Sequence, residues 1–290
     1  HFDHIVGELT KLALISTDTK LAQISHHLLC SLFNKADESD LKKSVLKRTI
    51  NFLKEEIAKG DKKAVEVLSW IAKGLLIRGH SDAAELVETI LELLERPNLA
   101  HAASLAIEII SLEYPGLHLP ILKHLYKQKL FQILLKKLWH KLADFTEHHL
   151  TAFVHVIRIT PHIVLKMNLD KVGPIFFKCL ESRATTPLLI SMEIINTFLQ
   201  DKDSYFQDHF QHIIPNFVNL TKYRDCMKVR MAALQCLLTI CEYPVFVLVP
   251  YKFDVLKDLQ SVLDDPKRLV RSAAVQTRNR WFLIGTTDKK

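Results

Sequence analysis

The chain has 290 residues, of which 48% are hydrophobic and 24% charged, and its formal net charge is +7. Only seven residues are glycine, which weighs against β-rich and Rossmann-like folds, because those folds use glycine in tight turns. No apolar run approaches the roughly 18 residues that span a bilayer, so we expect no membrane association. Five cysteines without C-x-x-C spacing favour free thiols in a reducing compartment.

Helical periodicity runs through the chain and predicts helices that follow one another in pairs. The predicted first helices are Ile5–Ile15, Leu41–Ala58, Asp82–Glu95, Leu119–Trp139, Leu169–Glu181, Phe206–Leu220 and Tyr251–Leu263. The predicted second helices are Lys20–Phe33, Lys62–Ile77, Asn98–Leu112, Glu147–Ile159, Pro187–Leu199, Lys228–Cys241 and Pro266–Phe282. First helices have a broad polar face, whereas second helices are apolar except for one narrow polar stripe. A helix that is apolar on nearly every side is packed on nearly every side, so the second helices should form an inner row.

An internal repeat of about 40 residues connects the pairs. It is clearest near the end of the chain, where Val229 and Arg230 align with Val270 and Arg271 at an offset of 41 residues. Two helices per repeat of this length are typical of HEAT and armadillo proteins. We therefore predict an all-α fold, an α-solenoid of about seven HEAT-like helix pairs. It should be a single array over residues 1–285 with a short polar tail at 286–290, and the absence of an initiator methionine suggests a fragment of a longer solenoid.

Candidate metal ligands are scattered along the chain. His26 and Cys30 lie one turn apart, and His209 and His212 share a helical face, but a zinc site requires about four converging ligands. There is no Gly-rich phosphate loop, Gly-x-Ser-x-Gly elbow or His-Glu-x-x-His pair. We therefore expect no metal, no cofactor and no catalytic residue in a protein that is not an enzyme.

The closing helix carries the candidate site. Asp265 is a suitable N-cap and Pro266 suits the first helical position, so the helix should begin there. Lys267 and Arg268 then lie in the first turn, where the helix macrodipole disfavours cations by about 0.3–1 kcal/mol each. Trp281 shares the apolar stripe of this helix and is expected to cap the array.

Basic residues near the end of the chain divide into two groups. From residue 222 onward there are 13 Lys and Arg against 7 Asp and Glu. Arg230 and Arg271 recur in phase, each after an aspartate (Asp225 and Asp265), which favours a structural Asp–Arg ladder between repeats. The remaining cations do not recur, and they are either hydrated surface or the contact for an acidic partner. The predicted partner-binding residues are Lys267, Arg268, Arg278 and Arg280.

A specific motif lies in the same region. The segment LDDPKRLVR at 263–271, with AV at 274–275 and RWFL at 280–283, resembles the C-terminal end of the Mms-nineteen proteins. These are large HEAT-repeat adaptors of cytosolic iron–sulfur protein assembly, and the predicted repeats are compatible with their C-terminal domain along the whole chain. The chain is thus expected to be the C-terminal part of such a solenoid.

The resemblance implies a non-enzymatic adaptor in the cytoplasm and nucleus. Its partners would be a MIP-eighteen-type subunit and a WD-repeat propeller subunit of the targeting complex. The assembly would then deliver iron–sulfur clusters to apoprotein clients, including DNA-metabolism enzymes. The adaptor would hold no cluster itself, which agrees with the lack of a cysteine ligand set.

Two other functions remain open from the sequence. The basic C-terminal region would suit a nucleic-acid-binding solenoid, although acidic residues alternate with the basic ones and weigh against direct nucleic-acid binding. The same architecture would also suit a generic transport-receptor or phosphatase-type HEAT scaffold. These alternatives differ from the first in their partners and not in their fold.

Overall fold

A computed structural model describes residues 1–35, 40–117, 119 and 125–286. Within these residues the chain is helical and has no strand, and 14 of its α-helices form seven pairs. The first helices are α1 (Phe2–Ile15), α3 (Asp40–Ala58), α5 (Ala83–Glu92), α7 (Leu125–Leu138), α10 (Leu169–Leu180), α13 (Phe210–Leu220) and α15 (Val245–Asp258). The second helices are α2 (Thr19–Lys35), α4 (Lys62–Arg78), α6 (Ala100–Ser111), α8 (Glu147–Ile159), α11 (Thr185–Gln200), α14 (Met227–Ile240) and α16 (Arg268–Leu283). Short helices α9 (His162–Lys166) and α12 (Ser204–Asp208) connect pairs.

The pairs belong to two compact units, His1–Met167 and a second that begins at Asn168. In the first unit α2, α4, α6 and α8 pack side by side in chain order, and in the second unit α11, α14 and α16 do the same. Second helices thus form the inner row of each unit, as their apolar surfaces predict. This arrangement confirms the predicted class, an α-solenoid of HEAT-like pairs. A single array over residues 1–285 stays a prediction, and residues 287–290 of the predicted tail lie outside the described residues.

Most helix boundaries agree with the sequence, and the differences have local causes. The predicted helix Phe206–Leu220 is divided at His209, which separates α12 from α13. The helix expected to begin at Tyr251 begins at Val245 and continues through Pro250. Short 3-10 turns extend α5, α7 and α15. Part of the predicted Leu119–Trp139 helix, at 120–124, lies outside the described residues.

The start of α16 differs from the prediction by two residues. Asp265 is extended, as expected for a residue before proline, and its Oδ1 accepts from the Lys267 N–H at 2.8 Å. The carbonyl of Lys267 then accepts the first helical bonds, from the amides of Val270 and Arg271. Lys267 is therefore the N-cap and Arg268 the first helical residue, so neither Asp265 nor Pro266 has its predicted position.

The inner row in the first unit depends on a close approach between α2 and α4. A Cβ at Gly74 would lie 2.4 Å from the carbonyl oxygen of Cys30, so only glycine fits without displacement. The Asn34 side chain spans the same gap and donates to the Gly74 carbonyl at 3.1 Å. One glycine and one amide thus determine the spacing of two inner helices.

A buried lysine ties α4 to the end of α6. Lys73 is 3% exposed, and its ammonium donates to the carbonyls of Ile109 at 2.8 Å and Ile110 at 3.2 Å, and also to that of Leu112. Burial lowers the pKa of Lys73 to about 8. The bonds satisfy carbonyls that the end of a helix leaves without an intrahelical donor, so the role of this lysine is structural.

Candidate docking surface at the last helix pair

An Arg–Asp pair joins the last two repeats. Arg230 Nε lies 2.8 Å from Asp265 Oδ2, and Arg230 Nη2 donates to Asp265 Oδ1 at 3.3 Å. Both side chains are more than nine-tenths buried. Arg230 Nη1 also donates to the Tyr223 carbonyl at 2.9 Å. The predicted Asp–Arg ladder is confirmed for this rung, in which the arginine of one repeat binds the aspartate of the next.

Side chains of α16 also bond to the main chain of α14. Trp281 is fully buried, and its Nε1 donates to the Leu237 carbonyl at 3.0 Å. Thr277, one turn earlier, donates to the Leu234 carbonyl at 3.3 Å. Trp281 is therefore part of the packing between the last two second helices, whereas its neighbour Phe282 is 57% exposed.

The four predicted partner-binding residues do not form one cluster. Arg280 Nη2 lies 2.5 Å from Glu242 Oε1, so this arginine pairs with the preceding repeat. Arg278 Nε donates to the Leu256 carbonyl at 3.4 Å, which ties α16 to α15. Lys267 and Arg268 are exposed, and neither side chain has an ion-pair partner among the described residues. Whether these four residues contact a partner stays a prediction.

The exposed aromatic side chains of α15 were not predicted. On α15, Phe246 is 78% exposed and Phe253 is 73% exposed, and Val249 lies exposed between them. On α16, Phe282 is exposed and the ammonium of Lys252 lies 5.6 Å from its ring centroid. Large exposed apolar patches on a soluble domain commonly mark interaction sites. The apolar run at 245–249 was the available signal, but the sequence alone does not show that its side chains are exposed.

A concave surface lies in the first unit, between α2, α4 and α6. It is a cavity of about 590 Å³ with His26, Glu66, Trp70 and Tyr114 in its wall. Burial lowers the pKa of His26 to about 4, so this imidazole is neutral at pH 7 although its Nδ1 lies 3.6 Å from Glu66 Oε1. Burial also raises the pKa of Glu66. Glu66, which belongs to the polar stripe predicted for α4, borders this cavity, whereas Ser69 and Lys73 of the same stripe are buried.

No group of three or more His, Cys, Asp and Glu side chains among the described residues is placed to hold a metal ion. No helix in this part of the chain is long and apolar enough to cross a membrane.

The stacked helix pairs define a HEAT-type helical-repeat protein. The family described as RNAPII transcription regulator C-terminal matches residues 1–241, and the chain belongs to this family. This result confirms the resemblance seen in the sequence.

Curated relatives cover nearly the whole chain. The MMS19 nucleotide excision repair protein of Drosophila melanogaster is 45% identical over 288 residues, which are 98% of this chain and 30% of the relative. The Xenopus tropicalis homologue is 26% identical over 99% of this chain and 29% of its own length. The DNA repair/transcription protein mms19 of Schizosaccharomyces pombe is 26% identical over 88% of this chain and 26% of its own length. The chain thus spans less than a third of the length of these relatives.

Solved structures agree on the fold. A crystal structure of a Kap121p mutant aligns with a TM-score of 0.56 at 15% identity, covering 98% of this chain and 29% of that one. A computationally designed armadillo repeat protein for modular peptide recognition aligns with a TM-score of 0.52 at 13% identity, covering 97% and 99%. At such low identity these similarities establish the solenoid fold alone.

Proposed function

We propose that this chain is a non-enzymatic docking platform, the C-terminal part of an adaptor that serves DNA repair and transcription. The observation that carries the proposal is the surface of the last helix pair, which exposes phenylalanines on α15 and α16 and the cations Lys267 and Arg268 at the start of α16. Aromatic and arginine side chains are the usual anchors of protein interfaces. The names of the relatives, which refer to DNA repair and transcription, support the cellular role.

More finely, we propose that the docked partners are those of cytosolic iron–sulfur targeting. These would be the MIP-eighteen-type subunit and the WD-repeat propeller subunit, with apoprotein clients served by the assembly in cytoplasm and nucleus. Family membership supports this proposal. The chemistry of the thiols agrees, because burial raises the pKa of Cys30 and of Cys241 to about 12. A thiol that stays protonated is a poor cluster ligand.

A charge-reversal experiment tests the docking site. Arg268→Glu combined with Arg278→Glu should abolish co-purification of the MIP-eighteen-type subunit with the full chain. Lys228→Glu is the matched control, because Lys228 is an exposed cation in the first turn of α14, one repeat earlier. Thermal unfolding should show that all variants remain folded. Undiminished co-purification in the double variant would reject the site, and loss in the control as well would indicate a nonspecific charge effect.

Nucleic-acid binding is the second candidate, favoured by the surplus of basic residues after residue 222. Contacts within the fold weaken it, because Lys222, Arg230 and Arg280 pair with Asp258, Asp265 and Glu242. Phosphate binding releases counterions, so affinity for a DNA duplex should fall steeply as salt rises. Fluorescence anisotropy between 50 and 200 mM salt is the measurement, and we expect no binding at about 100 mM.

A further inference from the structure

The face of α14 that α16 packs against is defined by its contacts. The carbonyls of Leu234 and Leu237 accept from α16, and Arg230 binds Asp265, the residue two positions before the α16 N-cap. This face therefore makes two contacts with the following repeat. Arg230 binds the Asp265 carboxylate just before α16, and the rest of the face packs against α16 itself.

The repeat offset identifies the equivalent face of α16. Residues 41 positions after Arg230, Leu234 and Leu237 are Arg271, Val275 and Arg278. Phe282 continues this face one turn later. Val275 is 48% exposed and Phe282 is 57% exposed, with the Lys252 ammonium 5.6 Å from the Phe282 ring centroid, so the apolar part of the face is about half open.

The Arg271 guanidinium is hydrogen-bonded to main-chain carbonyls in the same way as the Arg230 guanidinium. Its Nη1 donates to the carbonyls of Asp265 at 2.7 Å and Pro266 at 3.3 Å, whereas Arg230 Nη1 donates to those of Tyr223 at 2.9 Å and Arg224 at 3.4 Å. The other edge of the Arg230 guanidinium binds the Asp265 carboxylate. The same edge of Arg271, formed by Nε and Nη2, meets no carboxylate among the described residues. An arginine fork fixed in this way is preorganised for a bidentate carboxylate.

We propose that this face of α16, formed by Arg271, Val275, Arg278 and Phe282, docks a helix of a partner protein that begins with an aspartate or glutamate. The carboxylate would bind Arg271 as Asp265 binds Arg230, and apolar residues of the partner helix would cover Val275 and Phe282. Lys267 and Arg268 lie at the same end of α16 and favour an acidic approach. A phosphate group would leave the apolar part uncovered, so the partner is a protein segment. This inference rests on the proposed docking function and specifies its chemistry.

Photo-crosslinking in cells tests the face with the full chain. The photoreactive residue p-benzoylphenylalanine replaces Val275, and in a control it replaces Leu105, an exposed residue of α6. We expect the Val275 position to crosslink to another protein, at a helix with Asp or Glu within one turn of its start. Arg271→Glu should lower the yield at least tenfold, since it leaves a carboxylate facing a carboxylate. Changing the partner carboxylate to Arg should restore the crosslinking yield of the Arg271→Glu variant.

Further variants keep the test independent of folding. Arg271→Lys retains the charge without the fork and should give an intermediate yield. Val275→Glu adds a carboxylate to an exposed position and should reduce co-purification of the crosslinked partner while leaving the thermal midpoint unchanged. A Val275 crosslink to a second copy or to the same polypeptide would overturn the proposal, and so would a yield that Arg271→Glu does not change.

The two proposals fail in different ways. If the MIP-eighteen-type subunit co-purifies but Val275 does not crosslink to any partner, the face is wrong and the docking function stands. If Val275 crosslinks to an acidic helix start of an unrelated protein, with the dependence on Arg271 described above, the face is right and the proposed partners are wrong.

Discussion

Mild acid should loosen the inner row of the first unit before the second unit responds. His26 on α2 is 5% exposed, and burial lowers its pKa from 6.5 to about 4. Burial also lowers the pKa of His149 and of His155 on α8. Between pH 6.5 and 4 the unfolded chain therefore binds protons that the folded chain does not, so stability decreases as the pH falls through this window.

The size of the effect follows from the shift. At pH 5.5, His26 alone should reduce the free energy of opening α2 by about 1.4 kcal/mol relative to pH 7.5, which is about a tenfold increase in the open population. Glu66 acts in the opposite direction, because its raised pKa lets the folded state bind a proton at a higher pH than the unfolded chain does. The comparison therefore stops at pH 5.5.

Hydrogen exchange with mass spectrometry measures this directly. After correction for intrinsic rates, peptides from α2 should lose about tenfold of their protection between pH 7.5 and 5.5, whereas peptides from α14 should not. Helix α14 contains no histidine, so it is the internal control. Replacing His26 with Phe, which does not titrate, should remove most of the change in α2, and the remainder should come from His27 on the same helix, whose pKa burial also lowers. Equal losses in both units, or an unchanged α2, would refute the reasoning.

Three substitutions test the contacts between helices. Arg230→Leu should lower the free energy of unfolding by about 3 kcal/mol in urea denaturation, because Asp265 is left buried and unpaired, and adding Asp265→Leu should recover part of the loss. Gly74→Ala should cost about 2 kcal/mol, since its methyl would overlap the Cys30 carbonyl, and a cost near zero would contradict the close approach. Trp281→Ala should cost about 4 kcal/mol in the same assay, because it leaves a cavity between α14 and α16, and a midpoint equal to that of the parent chain would be inconsistent with its full burial.

Much of the fold could be predicted because residues of the same type recur at equivalent positions of successive repeats. The apolar second helices and the offset of Arg230 and Arg271 predicted both the inner row and the Arg–Asp rung. The start of α16 was placed wrongly because Asp265 has two roles. It accepts from the Lys267 amide and also binds Arg230 of the preceding repeat, so it stays outside the helix that its residue type suggested it would cap.

The candidate site was harder to predict, since it depends on which face has no neighbour. The local sequence does not distinguish the environment of Arg280 from that of Arg278. In the structure Arg280 pairs with Glu242, which lies 38 positions earlier, whereas Arg278 donates to a carbonyl of α15. Phe246 and Phe253 follow a pattern that elsewhere indicates burial. Both side chains are exposed on α15, and helical periodicity alone does not distinguish an exposed apolar face from a buried one.

The bonds between inner helices have a directionality with consequences for sequence change. Asn34, Thr277 and Trp281 each donate a side-chain hydrogen to a main-chain carbonyl one repeat away. A carbonyl is present whatever side chain the accepting residue carries, so Leu234 and Leu237 can vary without loss of the bond. The donors have no such freedom. Between α14 and α16 the hydrogen bonds should therefore survive apolar substitutions at the accepting positions Leu234 and Leu237, which are constrained by packing, and be lost on substitution of the donors Thr277 and Trp281. A saturation library of α14 and α16 would reveal this asymmetry.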